Sequence, residues 1–117
     1  MKRLLLLVLA INASAVYAQN LPAVSAFTQQ QIFENWVQNR CISKIADSKS
    51  LKDDAEASAA AWLEASDLPP ENFEKADKII DTLLKEKVGG TEQGDYQVLK
   101  CSLIVNSDAI RPLNNPK

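Results

Sequence analysis

The sequence predicts an all-α fold, a small bundle of four to five helices in a single domain held by one intramolecular disulfide. Three observations carry that prediction. Apolar residues recur at three- and four-residue spacing in four separate stretches, each bounded by capping or breaking residues. No segment alternates apolar and polar residues at the strand period. Two cysteines, Cys41 and Cys101, stand far apart in a chain that begins like an exported protein.

The beginning is read first. Lys2 and Arg3 precede an apolar run from Leu4 to Ile11, followed by small residues at Ala13, Ser14, Ala15 and Ala18. A basic start, a short apolar stretch and a small-residue cleavage site make a secretory signal peptide, assigned to residues 1–18. Val16 and Ala18 suit cleavage after Ala18, with cleavage after Ala15 as the alternative. The run is shorter than the roughly 20 residues that a membrane span needs. No cysteine follows it closely enough to anchor a lipid, so the expected product is a free, exported protein.

Residues 19–27 read as a flexible leader and residues 28–117 as the helical domain. Thr28 stands three residues before Gln31, the spacing of a capping box, and Phe27 is placed to act as a hydrophobic staple. Ile32, Phe33, Trp36, Val37, Cys41 and Ile45 then form a wide stripe, predicting a helix over 29–46 that is buried on more than one side. Ser50 and Asp53 repeat the start signal for a second helix over 51–65, with Leu51, Ala55, Ala59 and Trp62 on one face. Its alanines favour helix and permit close approach by a neighbour.

Asp67 to Pro70 breaks the chain, since proline begins a helix but does not continue one. The third helix, expected over 70–87, has the cleanest stripe: Phe73, Ala76, Ile79, Ile80, Leu83 and Leu84. Its other face carries Glu71–Lys75, Glu74–Lys78 and Asp81–Lys85, acid before base at four-residue spacing, and with Asp77 reads as a solvated surface. Gly89 and Gly90 stop it. Asp95 is placed to cap a fourth helix over 96–107. That helix has two apolar groups on opposite sides, Tyr96, Leu99 and Leu103 against Val98, Cys101 and Val105. Such a helix is central to the bundle or shared with a second subunit.

Composition excludes several functions. The 117-residue chain carries a net charge of −2, and losing Lys2 and Arg3 leaves the remaining 99 residues at −4. An acidic protein without a basic cluster is a poor binder of nucleic acid or anionic membrane. There is no histidine, which removes Ser-His-Asp and Cys-His nucleophile arrangements and every histidine-containing zinc site. Two cysteines in an oxidising compartment read first as a Cys41–Cys101 disulfide. The rival, a nucleophilic thiol, lacks a histidine to activate it. The carboxylates show no paired acid-base arrangement, and no calcium or phosphate loop is present, so neither metal nor cofactor is expected. Trp36 and Trp62 lie on apolar stripes and read as core.

One segment stands apart. Lys87 to Asp95 holds Gly89, Gly90 and Gly94, all the glycine in the chain. It is either a plain helix connection or a protruding loop whose backbone comes close to a partner and whose Thr91, Glu92, Gln93 and Asp95 offer hydrogen-bonding groups.

The ordered set of Asn39-Arg40-Cys41-Ile42, the Ala-rich helix ending Ala61-Trp62-Leu63-Glu64, the proline break, the glycine loop and Leu99-Lys100-Cys101 resembles a known family. It is the type VI secretion amidase immunity proteins, inhibitors of the fourth class of effector amidases, and the resemblance spans about residues 28–105. The segment Ser102 to Pro112 departs from it, being more apolar than the corresponding part of the family. The resemblance implies a non-enzymatic protein that binds a cognate peptidoglycan amidase effector, an enzyme with a Cys-His catalytic pair. It implies a homodimer that forms a heterotetramer with two effectors. It further implies that Val88, Gly89, Gly90, Thr91, Glu92, Gln93, Gly94 and Asp95 enter the amidase cleft. The polar face of the third helix at Glu71, Glu74 and Lys78 is the expected second contact. A periplasmic helical adaptor or chaperone-like protein, without an enzyme target, is the competing expectation.

Overall fold

The computed structural model describes residues 20–114; the expected signal peptide and the last three residues lie outside them. Four helices make up the described part: α1 (Gln29–Ile45), α2 (Lys49–Glu64), α3 (Pro70–Leu83) and α4 (Gln97–Val105). Short 3-10 turns occur at Val24–Ala26 and Arg111–Asn114. No strand occurs among the described residues, so the all-helical prediction holds.

The centre is α1, which packs against α2, α3 and α4. It starts where the sequence places it. The Gln31 amide donates to Thr28 Oγ1 at 3.1 Å, and the Thr28 amide donates to Gln31 Oε1 at 3.0 Å. Both amides would otherwise lack helical partners. Phe33 and Val37 are fully buried, and Trp36 stacks edge-on against Phe73 of α3 with ring centroids 4.9 Å apart. Cys41 and Cys101 form the expected disulfide, joining α1 to α4 across 60 residues of sequence.

Several boundaries differ from expectation. Ser48, not Ser50, caps α2, its hydroxyl accepting from the Leu51 amide at 3.2 Å. Leu51, in the first turn, is exposed, while Ala55 and Ala59 further along the same face are buried. Within residues 20–27, Val24–Ala26 form a 3-10 turn, and Phe27 packs edge-on against Trp62 at 5.1 Å. The turn into α3 is also tied. Gln29 donates to the Ala65 carbonyl at 3.1 Å and accepts from the Asp67 amide at 2.7 Å. Helix α3 ends at Leu83, about one turn earlier than expected.

The apolar departure at Ser102 to Pro112 has a structural use. Ile104 and Ile110 are buried in the same core as Phe33 and Phe73. The Asn72 side chain donates to the Leu113 carbonyl at 2.6 Å, closing the C-terminal turn onto α3.

Candidate functional site

The polar faces of α1 and α3 do not both meet water. Asp77, read as solvated, takes a hydrogen bond from Arg40 Nε and lies 3.2 Å from Lys44 Nζ. Asp81 lies 2.8 Å from the same Lys44, instead of pairing along its own helix with Lys85. Arg40 also comes within 3.8 Å of Glu56 on α2. Burial by itself would raise the Asp77 carboxyl, but the hydrogen bonds and charges of Arg40 and Lys44 outweigh it. The carboxyl is held below its ordinary value. The hydrogen bond to Asp77 raises Arg40 in turn, against desolvation. This network fastens three helices and holds Glu56, Asp77 and Asp81 against cations.

The network's role escaped the sequence reading, although its spacing was visible. Arg40 and Lys44 are four residues apart on α1, and Asp77 and Asp81 are four apart on α3. Two helices that present matching charges at one-turn spacing can pair along their length.

Of the expected second contact, Glu71, Glu74 and Lys78 are all exposed on α3. Glu74 and Lys78 line an open groove of about 820 Å³ whose floor is Trp36, Ala59 and Phe73. Glu71 sits one turn away and does not line it.

The glycine-bearing segment is a long excursion between the end of α3 and the start of α4. Gly89 to Asp95 are exposed and Val88 is half-buried. The expected cap at its far end is not Asp95. The N-terminal boundary residue of α4 is Tyr96, whose backbone is left-handed (φ 59°, ψ 30°) and whose side chain makes no cap. A left-handed residue with a bulky side chain is uncommon and must be held by its surroundings. The Tyr96 hydroxyl donates to the Glu92 carbonyl inside the loop. Gly90 lies against the same ring, and a Cβ added there would stand 2.8 Å from the Tyr96 ring edge. Gly94 has φ 156°, a value suited to glycine. The loop therefore closes on Tyr96, and beside it lies a shallow cleft of about 340 Å³ lined by Gln93, Tyr96 and Val98.

Helix α4 divides differently from the two apolar groups expected of it. Lys100, Cys101 and Ile104 are buried, while Val98, Leu99 and Leu103 face outward at 66%, 40% and 50% exposure. Helix α4 thus presents three large apolar side chains to solvent. Among the described residues no cluster of metal-ligating side chains occurs, and no helix is long and apolar enough to cross a membrane.

The model of the family described as type VI secretion system amidase immunity protein, Tai4, matches residues 31–114. No curated protein matches the chain. Among solved structures, the chain is similar to one in a complex of the Salmonella typhimurium effector Tae4 with the immunity protein Tai4 of Enterobacter cloacae. The match has 77% identity, covers 83% of this chain and 100% of that one, and gives a TM-score of 0.80. A chain in the Tae4-Tai4 effector-immunity complex of Enterobacter cloacae matches equally, at 77% identity, 83% and 99% coverage and a TM-score of 0.80. The Tae4/Tai4 system of Salmonella typhimurium matches at 21% identity over 84% of this chain and 97% of that one, with a TM-score of 0.75. This last likeness speaks to fold alone.

Proposed function

The chain belongs to the type VI secretion system amidase immunity proteins, and we propose that it disarms a peptidoglycan amidase effector by seating Val88 to Asp95 in the enzyme's active-site cleft. The protein is an immunity protein and not an enzyme. Family membership favours this over the helical adaptor. The observation that carries the loop reading is a long, exposed excursion that is nevertheless internally closed, by the Tyr96 hydroxyl on the Glu92 carbonyl. A loop held near its bound shape loses less conformational freedom on binding. Its exposed backbone, bared at three glycines, suits insertion into a narrow cleft.

The same reading assigns two further surfaces. Val98, Leu99 and Leu103 of α4 form the patch for a second copy of the chain, giving a homodimer that holds two effectors in a heterotetramer. Glu71, Glu74 and Lys78 on α3 supply a second contact with the enzyme. The site of action is the periplasm, reached through the signal peptide at residues 1–18. These assignments are supported by exposure, by the start of the chain and by relatives that were solved as effector-immunity complexes.

The test is direct. A Tae4-type amidase is incubated with peptidoglycan and rising amounts of this protein. Cleavage stops near an equimolar ratio if the proposal holds. Full hydrolysis in the presence of excess protein overturns it.

A further inference from the structure

We infer that Tyr96 and Lys100 act as the positioning residues of the 84–96 excursion, a two-point lock that sets the loop's shape before any partner arrives. The inference deepens the loop reading above and rests on it for its consequence in inhibition. Its structural part stands in the free protein.

The first point of the lock connects parts of the chain that the excursion separates, and the second acts inside it. Lys100 lies in the second turn of α4 and is the only charge in the run from Val98 to Val105, yet it is buried at 8% exposure. Its ammonium donates to the Leu84 carbonyl at 2.9 Å. Leu84 is the boundary residue at the C-terminal end of α3. Carbonyls there lack helical partners and the helix end is electronegative, so a lysine is well placed to bond there. The bond fastens the departure of the excursion to the helix at its return. An apolar residue at position 100 would leave that carbonyl without its Lys100 partner and the two helix ends untied.

Tyr96 supplies the second point, at the other end and inside the loop. Its left-handed backbone aims the ring back over the loop rather than along α4. The hydroxyl takes the Glu92 carbonyl, and the ring fills the place where Gly90 has no side chain. Three loop positions, Gly90, Glu92 and Tyr96, are therefore set by one ring. An unfavourable left-handed residue persists only where its surroundings over-determine it. Here the hydroxyl bond and the ring contact with Gly90 are those surroundings. The cross-link at Cys101 fixes the helix from which both residues project.

The same logic separates Tyr96 and Lys100 from the residues that touch the enzyme. Both act on the loop, and the loop acts on the amidase. Their removal should cost affinity while leaving the helical core intact.

The experiment measures amide hydrogen exchange across residues 84–96 and inhibition of a Tae4-type amidase for the wild type, Y96F, G90A and K100M, each with a thermal melt. Y96F keeps the ring and removes one hydrogen bond, whose loss should weaken inhibition by about threefold to tenfold. It should also speed exchange in the loop while the melt stays at the wild-type temperature. G90A should act in the same direction by displacing the ring. K100M should speed exchange in the loop ahead of α1, whatever it does to the melt. Wild-type exchange rates in the loop of both Y96F and K100M overturn the lock, whether or not the amidase is inhibited. Faster exchange with unchanged inhibition upholds the lock and instead removes the loop from the inhibitory contact. Loss of inhibition with unchanged exchange makes Tyr96 a direct contact and overturns its positioning role.

Discussion

The helical body and the 84–96 excursion use their polar groups in opposite ways. In the body, polar side chains connect elements far apart in sequence: Arg40 and Lys44 to Asp77, Gln29 to Ala65 and Asp67, Asn72 to Leu113. In the excursion, Lys100 of α4 ties the first residue, Leu84, the Tyr96–Glu92 bond runs inside the segment, and the remaining groups of Gly89 to Asp95 face solvent. The first pattern fixes a fold. The second fixes the shape of one loop while leaving its outer surface unspent. The difference teaches where each kind of substitution should register: changes in the body read out as stability, and changes in the excursion read out as inhibition.

The largest expected effect lies in the body. Replacing both cysteines, C41A with C101A, opens a cross-link spanning 60 residues and should lower stability by about 4 kcal/mol in the loop-entropy account. Chemical denaturation checks it. If stability is unchanged, α4 is held by its apolar contacts alone, and the contrast between body and loop loses its mechanical basis.

Next comes the loop. Exchanging Gly89 to Gly94 for a short neutral linker should weaken inhibition by more than about a hundredfold, since a few central residues dominate most interfaces. The melting temperature should stay close to that of the wild type. Inhibition at full strength would move the active surface into the body, toward the α3 groove at Glu74 and Lys78.

The smallest effect belongs to the ion-pair network. D77N should cost about 1–2 kcal/mol, the range for a hydrogen bond to a charged group reduced for partial exposure. The sign in pH follows from the lowered Asp77 carboxyl. Its stabilisation is complete above the carboxyl's ordinary value near 4 and is lost as pH falls through the lower folded value. Wild-type stability should therefore drop more steeply on acidification than that of D77N. Parallel acid profiles for the two proteins would show that Asp77 contributes nothing to holding α1 against α3.

Much of this architecture was legible from local pattern. The Thr28–Gln31 box, the α3 stripe and the pairing of the two cysteines all follow from side-chain type at short spacing, where the physics is local. The misplaced features depended on tertiary neighbours. Ser50 looked like a cap, but Ser48 starts α2 two residues earlier, and Leu51 in its first turn lies in solvent. Asp77 and Asp81 looked solvated because their partners lie on another helix. Asp95 looked like a cap, whereas the chain turns at Tyr96 through a left-handed backbone that no local propensity favours. The glycines mark the candidate loop as unusual in composition, but its shape depends on a ring and an ammonium that lie beyond it. Lys100 carried a readable signal nonetheless, as a lone charge in an apolar helix run that demands a buried partner.

The decisive measurement is the structure of this protein bound to the amidase it inhibits. The account predicts Val88 to Asp95 inside the catalytic cleft, with loop atoms within hydrogen-bonding distance of the nucleophilic cysteine's surroundings and Tyr96 still closed on Glu92. A complex in which that segment lies in open solvent, with the cleft unobstructed, would contradict it.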